Sequence, residues 1–588
     1  MNNIKKTGLF IASAVIFFAA CSPHVIIVEP NDNSATIESI SADGSPELPT
    51  SKLTLIFKDD MTGLASGDIQ ITSDFPVIKN EITAIDEHSF ELAIIPGNSG
   101  LIKIAISPYR FSGWSIASVQ VYAIFNFTLA NSRLSITDYT GLETIVEIPA
   151  DMGGIPVAAI DRNAFSEKGL TGITIPDSVD SIGNNAFTNN KLFSIVIPDS
   201  VNTIGSYAFS NNQLTGIIIP DGVTTIEQYA FQSNQLTSLT IPDSVTSIKT
   251  FAFSDNQLTS IIIPDAVTSI ENSAFASNLV TIVTLPDSLL TIGSSAFAYN
   301  QLSGVVIPKN VTLLAGFNNN RLTGIDIPDK VETIGNSAFS NNLITDLIFP
   351  NSVTTIGNSA FSNNRLTKII IPEGVTTIEN SAFSINQITD LSLPDSLISL
   401  SGFNNNRLTD ITIPDSVEII GNSAFTSNRL TSLTIPDSVT SIGNSAFAYN
   451  QLNSVVIPDS ITLMGEYVFQ NNQLASVRIP DGLTSISRSA FAYNQLNSVD
   501  IPDSIKSIGE NAFQSNNLDI IIIPDSVESI DRNAFGDNPL TSISIGANVK
   551  FTGISFGNGF EAVYNDGKEK GTYTRPDTST TVWTKQAE

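Results

Sequence analysis

The sequence predicts a mainly β protein in which a β-sandwich precedes a right-handed solenoid closed by a β-hairpin. Three observations carry this. From Phe165 to Phe535, eighteen phenylalanines divide 370 residues into fifteen intervals of 22 and two of 20, and a fixed period of that size marks a stack of like turns. Ahead of them, segments such as residues 52–57 (KLTLIF) and 102–106 (IKIAI) alternate apolar with polar side chains, the period of half-buried strands. A chain of 588 residues also exceeds what one core can serve, so more than one unit is expected.

The chain begins MNNIKKTGLFIASAVIFFAAC: Lys5 and Lys6, an apolar run from about Leu9, then small residues before a cysteine. This is the layout of an export signal, and the run is short for a bilayer core of about 30 Å at 1.5 Å per residue. Phe18-Ala19-Ala20-Cys21 resembles the lipobox of bacterial lipoproteins. That resemblance implies cleavage before Cys21 and a diacylglycerol on its thiol, with residues 1–20 as signal peptide and 21–26 as tether. Losing Lys5 and Lys6 takes the formal charge from −29 to −31. With 57 acidic against 28 basic residues, the balance argues against nucleic acid and anionic lipid, both of which demand Lys and Arg. The membrane is therefore expected to be met only through the lipid anchor, at the outer membrane or cell surface.

Residues 27–124 hold about seven or eight short strands punctuated by Gly, Asp, Asn and Pro, which favours a β-sandwich. The stretches KLTLIFKDDMTGLASGDIQIT, FELAIIPGNSGLIKIAIS and VQVYA resemble bacterial immunoglobulin-like domains, modules that act as spacers or binding units. Trp114 reads as a core or edge residue and His88 as a loop side chain.

In the repeats, the unit with Asn256 at its head places Leu258, Ile261, Ile263, Val267, Ile270, Ala274 and Phe275 as its apolar set. Ile261-x-Ile263 alternates as a strand, stopped at Pro264 by the missing N–H. Val267-x-x-Ile270 suggests a second short strand, and Asn272 to Phe275 a tight helical or irregular arc. Parallel stacking at about 4.8 Å per strand follows, and right-handed coiling is the expected hand. An asparagine stands three residues after the phenylalanine in seventeen units, including Asn190, Asn212, Asn234, Asn256, Asn278 and Asn300; Lys168 replaces it in the first. An amide both donates and accepts, so this column is expected to satisfy the backbone of successive turns.

The phrase LxxIxIPxxVxxIxxxAFxxN over residues 126–549 resembles the BspA-like leucine-rich repeats of bacterial surface antigens, known from spirochaetes and oral bacteria. The family's unit is about one residue longer and often carries Cys where this chain has Asn. The resemblance implies a leucine-rich-repeat solenoid over residues 165–549, an irregular first repeat over 125–164 containing IPADMGGIPVAAID, and a cap over 550–588 built on FEAVYNDGKEKGTYTRPDTSTTVW. It also implies a protein-binding role.

Chemistry is scarce. The two histidines, His24 and His88, both precede the repeats, and Cys21 is the single cysteine, so Ser-His, Cys-His and His-metal sites have no residues to draw on there. Neither GxxxxGK[ST] nor GxGxxG occurs. The chain reads as no enzyme, with no cofactor and no metal. Asp follows Pro in fourteen of seventeen strand-ending steps, Asp177 to Asp525, and Glu373 adds a fifteenth acid. Pro-Asp is turn chemistry; a Ca²⁺ ladder is the functional alternative. Lys309 and Asn351 interrupt the column without breaking the repeat, which favours the turn.

The residue two before each proline points outward. Eight of these seventeen are Val or Ile and five are Thr, with only Asp326, Arg478 and Asp500 charged. Ile218, Ile262, Val306, Ile348, Ile370, Val456 and Ile522 form the candidate binding rail, on a nearly flat sheet beside a Ser/Gly column. Apolar docking of a protein is one reading; plain β propensity is the other. The functional expectation is a lipid-anchored adhesin for host matrix or host-cell proteins. An envelope scaffold binding the cell's own proteins is the alternative, and a carboxylate glycan hydrolase ranks third.

Overall fold

The computed structural model describes residues 37–587, apart from short stretches at 45–48, 58–60, 62–63, 65–67, 74–75, 87–88, 98–99, 107–114 and 122. Cys21, His24, His88 and Trp114 lie outside the described residues. Two compact units divide the chain, Met1–Leu236 and Thr237–Glu588.

The first unit opens with strands β1 (Ile37–Ala42), β2 (Lys52–Phe57), β3 (Ile69–Thr72), β4 (Val77–Ala84), β5 (Ser89–Pro96), β6 (Gly100–Ile106) and β7 (Ser115–Val121). They form two antiparallel sheets, β1-β2-β5-β4 and β3-β6-β7. In β2 and β5 every second residue is buried, as alternation demands. Leu53, Leu55, Phe57, Phe90 and Leu92 from one sheet share a core with Ile69 and Ile104 from the other, and Phe57 meets Phe90 edge to face at 6.0 Å. The sandwich expected from the sequence is present.

Next comes β8 (Phe125–Ala130), antiparallel to β9 (Arg133–Tyr139). Asn131 and Ser132 both take left-handed φ, 50° and 58°, the geometry of a two-residue hairpin turn. The sequence showed an irregular first repeat here but not this hairpin. After β10 (Ile145–Glu147) and β11 (Asp151–Met152), strand β12 (Ile155–Ile160) pairs in parallel with both β9 and residues 181–182. The outer side of β9 is thus closed by an antiparallel partner while its inner side templates parallel turns. Tyr139 stacks on Phe165 at 5.6 Å and starts the aromatic file in place of a phenylalanine.

The second unit is built of repeats. Eleven two-residue strands, from Ser247–Ile248 to Leu463–Met464, pair in parallel in one ladder, and four more, from Ser485–Ile486 to Lys550–Phe551, form another. Inside, the phenylalanines stack nearly parallel. In this unit ring centroids lie 5.1–5.9 Å apart, as for Phe535 on Phe556 and Phe403 on Phe425. That exceeds the strand spacing of about 4.8 Å because the rings are offset. Phe556, outside the regular series, ends the file.

The bend before and after each phenylalanine is neither helical nor irregular. In the 22-residue units, the residues two before and two after it are left-handed: Ser273 (φ 56°) and Ser277 (φ 57°) around Phe275, Ser337 (φ 54°) and Asn341 (φ 56°) around Phe339. Their N–H groups point at the next turn, Ser273 to Ser294 O at 3.0 Å and Ser277 to Ala298 O at 2.9 Å. Left-handed backbone costs a residue with a Cβ about 1–2 kcal/mol, and an inter-turn hydrogen bond offsets it. Short polar side chains tolerate this region best, which explains why Asn and Ser crowd both columns. The two 20-residue units close the same bend with a glycine, Gly316 (φ 95°) and Gly402 (φ 93°).

At the end, Ser542–Ile545 pairs antiparallel with Gly571–Thr574, which pairs antiparallel with Thr584–Lys585. A six-residue helix, Phe560–Asn565, precedes this hairpin and was not expected. Phe560 packs edge to face on Phe556 at 4.9 Å and on Trp583 at 5.4 Å, so the cap covers the last ring of the file. The switch from parallel to antiparallel pairing leaves no template for another turn.

Two stability predictions follow from the bends and the asparagines. A Cβ on Gly316 would sit 2.5 Å from Gly293 O, whereas one on Gly304 would meet nothing within 4 Å. Gly316→Ala is expected to cost about 2 kcal/mol or more and Gly304→Ala less than about 0.5 kcal/mol, compared by urea denaturation; equal midpoints would refute the strain assigned to Gly316. Asn342→Leu removes four hydrogen bonds and leaves buried backbone groups unpaired, an expected loss of about 2–4 kcal/mol. Hydrogen exchange at the Leu322 amide, which donates to Asn342 Oδ1 at 3.0 Å, should speed up with it; unaltered protection would rule out the bridge.

Candidate binding surface

The strand that precedes each proline sets the outward column. In Ser260–Ile262 the middle residue is buried and its neighbours are exposed, and Pro264 then ends the strand. All seven rail residues are exposed, Ile218 in the first unit and Ile262, Val306, Ile348, Ile370, Val456 and Ile522 in the second, with Val306 the most open at 85%. Val196, in the same column of the first unit, reaches 81%. The strands beneath them do not pair in one continuous ladder. In the second unit the rail strands pair in separate short ladders, 260–262 with 282–284, 368–370 with 390–392, 432–434 with 454–456, and 476–478 with 498–500. The long ladder belongs to the other strand row, which lacks a following proline and so keeps its donors.

A shallow groove of about 700 Å³ runs beside Ile262, lined by Pro264, Asp265, Thr284, Pro286 and Asp287. Rail, proline and aspartate columns therefore meet in one concavity. Backbone bonds close the Pro-Asp turn, Val267 N donating to Pro264 O at 3.1 Å. The aspartates stay at the surface, where Asp287 pairs with Lys309 at 2.7 Å and Asp525 with Lys570. Among the described residues no group of three or more His, Cys, Asp or Glu is placed to hold a metal ion.

Arg478 occupies a rail position and donates to both carboxylate oxygens of Asp459, at 2.8 and 3.3 Å, and to Asp481 at 3.1 Å. The Arg478 bonds to Asp459, joined by the Asp481 backbone N–H at 2.9 Å, hold its carboxyl below the ordinary range. The rail thus carries Val or Ile at eight of its seventeen positions, with an ionic knot at Arg478. Sequence reasoning did not single out Leu313, Ile419 and Leu463, exposed apolar residues at the head of the second strand row. Their signal was a departure from the Thr or Ser usual at that position.

The asparagine column is buried rather than presented. Asn190, Asn212 and Asn234 in the first unit and Asn256, Asn278 and Asn300 in the second are each no more than 8% exposed. Asn278 Nδ2 donates to Phe253 O, Phe275 O and Ala276 O at 3.0–3.2 Å, and its Oδ1 accepts from Leu258 N. Asn212 does the same with Phe187 O, Phe209 O, Ser210 O and Leu192 N.

No curated protein matches the chain. It is similar to a leucine rich cell surface protein of Faecalibacterium prausnitzii, at 27% identity over 56% of this chain and 92% of that one, with a TM-score of 0.36. A leucine-rich repeat protein of Bacteroides ovatus is 21% identical over 73% of this chain and 98% of its own, TM-score 0.35. The pneumococcal vaccine antigen PcpA is 17% identical over 73% and 96%, TM-score 0.31. The family model described as BspA type Leucine rich repeat region (6 copies) matches residues 158–279, 204–316, 314–427, 397–516 and 442–558. With matches across most of its length, the chain belongs to the BspA-type leucine-rich-repeat family.

Proposed function

We propose that this protein is a lipid-anchored, non-catalytic platform at a bacterial cell surface, and that its role is adhesion to host matrix or host-cell proteins. The observation that carries the reading is the outward column, where Ile262, Val306, Ile348 and Ile370 recur in register with exposures of 58–85%. Large apolar side chains held open on a rigid frame are costly in water, and burying one against a partner is worth about 1.5–3 kcal/mol. Repetition would let several modest contacts add. In this reading Cys21 carries the lipid, residues 27–124 form an immunoglobulin-like spacer, 125–164 start the solenoid, and 165–549 present the rail below the cap at 550–588. The lack of histidine beyond His88 supports a non-catalytic role.

Proteinase treatment of intact cells, with a periplasmic protein as control, tests the address. Loss of the repeats while the control survives is expected. Protection until the envelope is opened would instead favour a scaffold that binds the cell's own envelope proteins. Contact is tested with Val306→Asp/Ile348→Asp/Ile370→Asp, since Asp326 and Asp500 show that the column accommodates aspartate. Binding of the purified chain to immobilised host matrix proteins should fall by roughly tenfold or more with the melting temperature held; a triple variant that binds as well as the parent would remove the rail from the interface.

A further inference from the structure

Five residues before the rail position, four after the phenylalanine, lies a second outward column. Across its seventeen turns it carries no acid, although the chain has 57, and glutamine fills it eight times. In the six turns from Phe317 to Phe425, four members are arginine: Arg321, Arg365, Arg407 and Arg429. All four are exposed. Among the described residues none of their guanidinium groups pairs with a carboxylate, while Lys309, Lys368 and Arg478 nearby all do. Unneutralised arginines in register on so acidic a protein are not explained by folding.

We propose that this column binds a linear acidic polysaccharide laid along the stack. Arg321, Arg365, Arg407 and Arg429 stand two, two and one turns apart, so at about 4.8 Å per turn they follow one another at about 10, 10 and 5 Å along the axis. A guanidinium fork matches a carboxylate or sulfate in bidentate fashion. Uncharged donors flank it. The column two residues earlier is Asn or Ser except for Ile385, and the column two residues later is threonine in all six turns, each exposed; Thr345, Thr389 and Thr409 donate within the protein, so Thr323, Thr367 and Thr431 are the hydroxyls offered to a ligand. Amides and hydroxyls beside cations suit the ring hydroxyls of a sugar polymer.

The backbone offers no competing mode. The arginine N–H groups are all spent on the preceding turn, Arg321 to Leu302 O and Arg365 to Ile344 O at 2.9 Å, so a peptide strand finds no free edge here. A folded protein would need an apolar centre, which the rail has and this stripe lacks. Of the acids beside the stripe, Asp390 is neutralised by Lys368 at 2.7 Å, while Asp346 and Asp410 keep their charge and accept from Thr345 Oγ1 at 2.8 Å and Thr409 Oγ1 at 3.1 Å, and Asp326 stands in the rail column. More distant negative charge is screened beyond about 8 Å at physiological ionic strength.

The test uses the purified full chain at physiological ionic strength over immobilised heparin, hyaluronate and neutral dextran. Retention on heparin, hyaluronate or both, with none on dextran, is expected, and the pattern reports whether sulfate or carboxylate is read. Arg321→Gln/Arg365→Gln/Arg407→Gln/Arg429→Gln uses the column's own commonest residue, so it should keep its circular dichroism and melting temperature while affinity falls roughly tenfold or more. Lys309→Gln/Lys330→Gln, off the stripe, should bind like the parent. The proposal is overturned if neither acidic polymer retains the chain, if dextran retains it equally, if the quadruple variant binds unchanged, or if the lysine pair costs as much.

Discussion

Everything outward on this protein depends on an inward hydrogen bond. Each turn sends one buried amide back to the turn before it: Asn342 Nδ2 reaches Phe317 O at 2.9 Å while its Oδ1 takes the Leu322 N–H at 3.0 Å. The same Nδ2 meets Phe339 O and Ser340 O of its own turn at 3.1 and 3.3 Å. These backbone groups lie where the chain bends out of its strands, so no ladder can pair them. Unpaired, each would cost about 1–3 kcal/mol. One side chain of the right length therefore does for the bend what strand pairing does for the straight segments. The adjacent ring stack fills the space that the bend encloses.

The bends also explain why two lengths of repeat coexist. A 22-residue turn spends two left-handed residues around its phenylalanine, and polar short side chains bear that conformation at modest cost. A 20-residue turn has less chain for the same arc. Gly316 and Gly402 absorb the difference, with a φ near 95° and carbonyls so close that a Cβ would overlap them. Phe317 and Phe403 nonetheless keep their places in the ring file, at 5.4 Å from Phe297 and 5.2 Å from Phe383. Conservation of the core position, rather than of the chain length, is what the stack requires.

Most of the fold was legible because it is periodic. Leu258, Ile261, Val267, Ile270 and Phe275 recur at fixed offsets, and any residue that must be buried in every turn announces itself by repetition. Features that occur once had no such signal. The hairpin of β8 and β9 turns on Asn131-Ser132, a pair without glycine, and the helix at Phe560–Asn565 is too short to show a helical period. The left-handed bends were hidden for another reason: serine, asparagine and tyrosine are compatible with many conformations, so composition alone did not select one. Outward columns were legible as positions but ambiguous as sites. Ile348 and Thr284 suit a strand equally well, and both stand exposed in the same column.

A repeat array separates the demands of folding from those of recognition more cleanly than a globular domain does. In each turn Leu, Ile, Val, Ala, Phe and Asn are held by the core, and altering one disturbs two neighbours. The rail position and the column four after the phenylalanine lie at the surface and vary from turn to turn. The first accepts Val, Ile, Thr, Ser, Asp and Arg; the second Gln, Arg, Leu, Lys, Asn and Gly. The first is Val or Ile at eight of seventeen positions and Thr at five, and the second excludes acids while gathering four arginines in six turns. The frame tolerates other residues at both columns, and that freedom is the ground on which the two binding roles are proposed.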